Sequence, residues 1–151
     1  MRTTCPVNLI TVDANAVRIV ALLVVVIVGL FLLSGNPLVI LALAPDFLVR
    51  AAGRPHLSPL ARLAIALVRL TRVAPRPTDS APKRFAAGIG LAFAVTAGVL
   101  ALAGLTIPAA VVAGILLACA ALEGLAGFCL GCRVHALLPR PVRGPRAAGS
   151  A

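Results

Sequence analysis

The chain has 151 residues, of which 61% are hydrophobic and 12% charged, with a formal net charge of +10 and a mean hydropathy of +1.09. Soluble domains run at about 45–50% apolar and about 25% charged residues, so this composition excludes an ordinary water-soluble domain. The apolar residues come in long blocks, the pattern of membrane spans, rather than at a strand or helix period.

So basic a chain invites a nucleic-acid reading, but no aromatic residues interleave its cations and no base-reading module is visible. The fourteen Lys and Arg collect between the apolar blocks, opposed only by Asp13, Asp46, Asp79 and Glu123. That is the distribution of the positive-inside rule, and it makes the lipid bilayer the expected partner, with no nucleic acid.

Residues 1–16 form a polar lead containing Cys5-Pro6, in which Asp13 or Asn15 can cap a following helix. Residues 17–33 are an almost pure Val/Leu/Ile run with Arg18 at its start. The run is long for a signal sequence, and Leu33-Ser34-Gly35-Asn36 is a poor cleavage site, so it reads as an uncleaved first span. An uncharged turn, Ser34-Gly35-Asn36-Pro37, leads into a second, weaker span over 38–52. This run is short and interrupted by Pro45-Asp46; Asp46 and Arg50, four apart, would meet on a helix as an anchoring ion pair or mark a functional site.

Residues 50–84 hold eight basic side chains against Asp79 alone and should lie in the cytoplasm. Within them, Ser58-Pro59 predicts an amphipathic helix over 58–74, with Arg62, Arg69 and Arg72 on one side, lying in the membrane surface or packed under the bundle. These arginines would anchor a solvated face, or bind an anionic substrate or lipid headgroup. His56 reads as a solvated loop residue. The third span, 85–105, carries Gly90, Ala94 and Gly98 at four-residue spacing, which lets helices approach closely. After the turn Thr106-Ile107-Pro108 comes a fourth span, 109–128, with Ala120 and Gly124 as a second small-residue pair. The predicted fold is an all-α integral membrane protein: one domain, 1–138, a four-helix transmembrane bundle with the amphipathic helix on its cytoplasmic face, and a disordered basic tail over 139–151. Four crossings put both termini in the cytoplasm; if the second run were only re-entrant, Cys5 would move to the other side.

Chemistry is expected at the end of the last span, Gly127-Phe128-Cys129-Leu130-Gly131-Cys132-Arg133-Val134-His135. Cys129 and Cys132 form a C-x-x-C pair, which serves either as a dithiol–disulfide couple or as half of a metal site. In the first use one thiolate attacks a disulfide and the other resolves the mixed disulfide. Arg133 would favour the thiolate, whereas a position at the C-terminal end of a helix would oppose it; Gly127 and Gly131 raise the question of whether the helix breaks there. In the second use Cys5, Cys129, Cys132 and His135 would make a Cys3His zinc set, though not at the usual spacing. A third reading is small packing residues with no chemistry. Cys119 reads as a buried small hydrophobe. Glu123, inside the last apolar run, is either a proton acceptor for the thiol site or a buried partner of Arg18, Arg50 or Arg84.

Taken together, Cys5-Pro6, Asp13 with Arg18, Asp46 with Arg50, Ala81-Pro82-Lys83-Arg84-Phe85-Ala86 and the Gly127-Phe128-Cys129-Leu130-Gly131-Cys132 stretch resemble the bacterial membrane family called domain of unknown function 4395. The likeness covers roughly residues 4 to 138, and the G-F-C-x-G-C stretch is its most specific part. The resemblance implies four spans in a bacterial inner membrane and cysteines that matter, without supplying a reaction. It also implies a neighbourhood of thioredoxin-like and sulfurtransferase proteins, which favours thiol or sulfur chemistry with such a soluble partner. The expected function is therefore a membrane-embedded thiol–disulfide or sulfur relay using Cys129, Cys132, Cys5 and Glu123. The competing readings are a non-catalytic membrane anchor, with or without a structural metal, and small-molecule or anion transport through Asp46, Glu123 and the arginines, which four short spans would support only in a homo-oligomer.

Overall fold

The structure, a computed structural model, describes residues 11–71, 77–79 and 81–137. Among them the chain is helical apart from one three-residue pairing: Thr11–Asp13 (β1) runs antiparallel to Pro77–Asp79 (β2), with Thr11 opposite Asp79. Three helices are long and apolar enough to cross a membrane: Ala14–Ser34, Lys83–Leu102 and Thr106–Ala126. Twenty-one helical residues reach about 31 Å, the thickness of a bilayer core.

The first of them, α1 (Ala14–Ser34), begins where Asp13 accepts a hydrogen bond from the Asn15 N–H at 2.9 Å, and it ends at Gly35 in the left-handed conformation. The cap starts the helix one turn before the apolar run, so Arg18 falls inside it. Asn36 then caps α2 (Pro37–Leu41), and α3 (Leu43–Ala51) follows after a break at Ala42. The break has a local cause, because Pro45 has no N–H to return to the Leu41 carbonyl. These fifteen residues span about 22 Å, less than a full crossing.

A turn through Gly53 (φ 78°) and a short 3-10 segment, Pro55–Leu57, lead to α4 (Pro59–Thr71). Ser58 caps α4, its hydroxyl accepting from the Ala61 N–H at 3.0 Å. Ala61, Ala64 and Val68 of α4 are buried against Ala16 and Val20 of α1. On its other sides α4 exposes two stripes: Arg62 and Arg69, and Leu63, Leu67 and Leu70. Helix α5 (Ala81–Leu102) is followed by α6 (Thr106–Ala121), whose last turn widens into a π turn, Leu122–Ala126. Gly127 (φ 68°) ends it, and α7 (Leu130–Leu137) packs on α5.

Alanines fill much of the interior beside a cluster of Val28, Phe31, Ile40, Leu43 and Phe47, while stripes of large apolar residues face outward. Ala87, Ala94, Ala97, Ala109, Ala113 and Ala120 are buried, whereas Leu22, Val26, Leu30 and Leu33 of α1, Val95, Val99 and Leu102 of α5, and Ile107, Val111 and Ile115 of α6 are exposed at near four-residue spacing. Water would penalise such apolar stripes; lipid does not, and close backbone approach is how membrane helices hold together. The Gly90-Ala94-Gly98 stripe of α5 is the seam for α2 and α3. A Cβ on Gly98 would run into the Leu41 side chain, and one on Gly90 would stand 2.6 Å from the Phe47 ring. Gly124 of the π turn meets Leu22 of α1 in the same way.

Gly90→Ala should therefore cost about 1–2 kcal/mol in thermal unfolding, because the buried ring cannot swing away and overpacking exceeds the helix-propensity gain of about 1 kcal/mol. Gly114→Ala, with nothing within 4 Å of the added Cβ, should be neutral or stabilising. Equal melting of the two variants would show that the seam is not packed as described.

Candidate functional site

Every charged residue among those described sits towards one end of the helices. None occurs between Arg18 and Asp46 or between Arg84 and Glu123, so both turns at the opposite end are uncharged. The start of α1, the end of α3, the start of α5 and the start of the π turn gather at the charged end around a cavity of about 400 Å³.

The cavity has an apolar side and a charged side. Val17 and Val20 of α1, Phe47 of α3, Ile65 of α4 and Ala86 and Ala87 of α5 supply the first. Arg50, His56, Lys83 and Arg84 supply the cations, and Asp13 and Glu123 the carboxylates. Lys83 Nζ lies 3.9 Å from Glu123 Oε1, and both side chains are about one-fifth exposed. The Arg84 guanidinium covers Gly53 and its Nε donates to the Ala51 carbonyl at 3.2 Å, which ties the start of α5 to the end of α3. Gly53 matters twice here, for its positive φ and because a side chain would displace Arg84.

Arg50 is set by a buried network. Its Nε lies 3.0 Å from Asp46 Oδ2, too oblique for a hydrogen bond, and its guanidinium stacks 4.7 Å from the centroid of the Phe47 ring. Asp46 Oδ1 accepts from the Ser58 hydroxyl and from the Leu60 N–H, so one carboxylate joins α3 to the first turn of α4. The Nη2 of Arg50 is buried with no acceptor among the described residues. A donor in that state costs free energy unless something in the cavity accepts from it.

The cysteine turn is the second feature of this end. The Gly127 N–H returns to the Glu123 carbonyl at 3.0 Å and that of Phe128 to the Leu122 carbonyl at 3.2 Å, which closes the π turn. Cys129 is then the residue before α7, and its carbonyl accepts the Arg133 N–H at 3.2 Å, so it holds the N-cap position. Cys132 is the third residue of the same helix. The question posed by Gly127 and Gly131 thus has an answer: the helix does break, and the C-x-x-C pair opens a new helix instead of closing the old one. Partly exposed, Cys129 meets the favourable end of the helix dipole. Two arginines meet residues of the turn that precedes it. Arg18 donates to the Leu125 carbonyl at 2.9 Å and lies against Gly127, and Arg133 stacks on Phe128 at 5.0 Å.

Of the residues singled out from sequence, the structure brings Asp46 and Arg50 together and sets Glu123 against Lys83 in the cavity. Cys129 is not among the residues lining that cavity. Cys119 lies mid-helix in α6, partly buried. Cys5, Arg72 and the tail lie outside the described residues, as do the side chains of Cys132 and His135; among those described, no three His, Cys, Asp or Glu cluster as a metal set. From the sequence, Ser58 marks only a helix start and Lys83 only one cation of the basic loop and the family-like stretch, and Phe47 has no role. Lys83 and Phe47 had no signal apart from their neighbours, whereas Ser58 was legible as a cap but not as the partner of Asp46.

These features define an all-helical protein with three membrane-length helices and a charged end that holds a cavity and a cysteine turn. The family model described as Domain of unknown function (DUF4395) matches residues 12–140, and the chain belongs to that family. No match was found among curated proteins or among solved structures.

Proposed function

We propose that this is a membrane-embedded thiol–disulfide or sulfur-relay protein of a bacterial inner membrane, with Cys129 as the attacking thiolate and Cys132 as the resolving thiol. The observation that carries the reading is the N-cap position of Cys129: a helix start favours negative charge, and Arg18 and Arg133 add positive charge to the adjoining turn.

In disulfide exchange, the Cys129 thiolate attacks one sulfur of a substrate disulfide. The substrate S–S bond breaks and its second sulfur leaves as a thiolate that takes up a proton. Cys132, deprotonated, then attacks Cys129 Sγ and expels the first substrate sulfur. The substrate gains two electrons and two protons, and a Cys129–Cys132 disulfide remains for a soluble thioredoxin-like dithiol to reduce. In sulfur relay, the same thiolate attacks the outer sulfur of a donor persulfide, such as that of a sulfurtransferase, and the donor leaves as its thiolate. Glu123, opposite Lys83, belongs to the cavity in this reading, and Cys5 is a further thiol to be followed.

In the membrane, α2 and α3 complete a fourth crossing in a locally thinned or snorkelled bilayer, since they run antiparallel to α5 and return the chain to the charged end. The charged end is then cytoplasmic, with both termini on that side. The Leu63, Leu67 and Leu70 stripe of α4 faces lipid while Arg62 and Arg69 reach headgroups.

Mass-spectrometric trapping of Cys5, Cys129 and Cys132 by alkylation in intact cells tests this. Cys132→Ser is expected to accumulate a mixed disulfide or persulfide on Cys129, and Cys129→Ser to accumulate none. Fully reduced thiols that ignore the redox state in both variants would leave a membrane anchor in place of a relay. Loss of the protein with either variant, accompanied by bound zinc in the wild type, would point instead to a structural metal at the cysteines.

A further inference from the structure

From the cavity at the charged end, and independently of the cysteines, we infer a binding site for an anionic amphiphile: one carboxylate or phosphate head on an apolar body. Three observations converge on this chemistry. The cavity is two-sided, with Val20, Phe47, Ile65 and Ala86 available to an apolar body and Arg50, Lys83 and Arg84 to a head group. Arg50 presents a buried Nη2 donor that finds no acceptor among the described residues. The surroundings favour negative charge, since eight Lys and Arg share this end with four carboxylates among the described residues.

Asp13 and Asp46 are committed elsewhere, and Glu123, which lines the cavity, is outnumbered there by Arg50, Lys83 and Arg84. Asp13 caps α1, Asp46 holds Ser58, the Leu60 N–H and Arg50, and Glu123 meets Lys83 only at 3.9 Å. An entering anion can therefore take the free donor of Arg50 and share Lys83 and Arg84 without breaking a short ion pair. The volume, about 400 Å³, lies within the range of ligand sites. The head group can come from a membrane phospholipid or from an amphiphile arriving from water; the chemistry of recognition is the same.

The full-length protein in phosphatidylcholine nanodiscs is titrated with octyl phosphate, octanol and inorganic phosphate. Saturable binding of octyl phosphate at one site is expected, with inorganic phosphate and octanol each binding at least about tenfold more weakly, as one lost contact set implies. Lys83→Gln with Arg84→Gln should weaken octyl phosphate about tenfold or more and leave octanol unchanged, the octanol arm showing that the apolar side survives loss of the Arg84–Ala51 hydrogen bond. Ala86→Leu, which fills the apolar side, should remove octyl phosphate binding altogether. Phosphatidylglycerol nanodiscs that prevent octyl phosphate binding identify the site as a lipid-headgroup site; unimpaired binding there identifies a ligand from the aqueous side. Equal affinity for octyl phosphate and octanol, or wild-type affinity in the Lys83/Arg84 double variant, would overturn the assignment.

Discussion

Replacing Asp46 with alanine is expected to destabilise the protein by about 3–5 kcal/mol, the usual cost of removing one partner of a buried ion pair. Asp46 is 2% exposed and is the common acceptor for the Ser58 hydroxyl and the Leu60 N–H as well as the counter-charge of Arg50. Its loss strands a guanidinium against Phe47 and loosens the first turn of α4 at the same time. Asp46→Asn keeps an acceptor for Ser58 and loses the charge, so it should cost less, about 1–3 kcal/mol. Unfolding of the purified protein in detergent, followed by helical circular dichroism, checks both. If Asp46→Ala melts like the wild type, α3 and α4 are held by something other than this carboxylate.

The second large effect is chemical. Cys129 should be alkylated by iodoacetamide at pH 7 about tenfold faster than glutathione, because thiolate, not thiol, is the nucleophile and a helix N-terminus with cations on the adjoining turn favours it. Arg18→Gln should slow the reaction, since Arg18 lies against Gly127, two residues from the thiol. High salt should slow it too, through screening of partly exposed charges. Cys119, embedded in α6, should react far more slowly under the same conditions. A Cys129 rate no faster than glutathione, unaffected by Arg18→Gln, would mean that the helix end does not activate this thiol.

Two readings from sequence met the structure in different ways. The Asp46–Arg50 spacing is a local, i to i+4 relation, so a helix alone brings the two side chains together. Glu123 is the opposite case. Its neighbours come from α5, through Lys83, and from the end of α3, and nothing within ten residues of Glu123 announces them. The β1–β2 pairing is similarly non-local, joining residues more than sixty apart in short, polar segments with no strand pattern to read. The cysteine turn lay between the two. Gly127 and Gly131 signalled a break, but only the backbone decided that Cys129 would begin a helix, and so whether the dipole would help or oppose the thiolate.

What the sequence determined by itself is the solvent and the polarity of this protein. Blocks of about twenty apolar residues have no stable home in water, and cations confined to the segments between them mark one end. Small residues at four-residue spacing on α5 also announced a close helix contact, because backbone approach depends on residue size alone. The tertiary structure decided which surfaces face inward, where the interrupted run of α2 and α3 docks, and which charges share a cavity. Those outcomes depend on residues far apart in the chain arriving at one place, and pairwise packing of four helical segments is a global balance that no local pattern encodes.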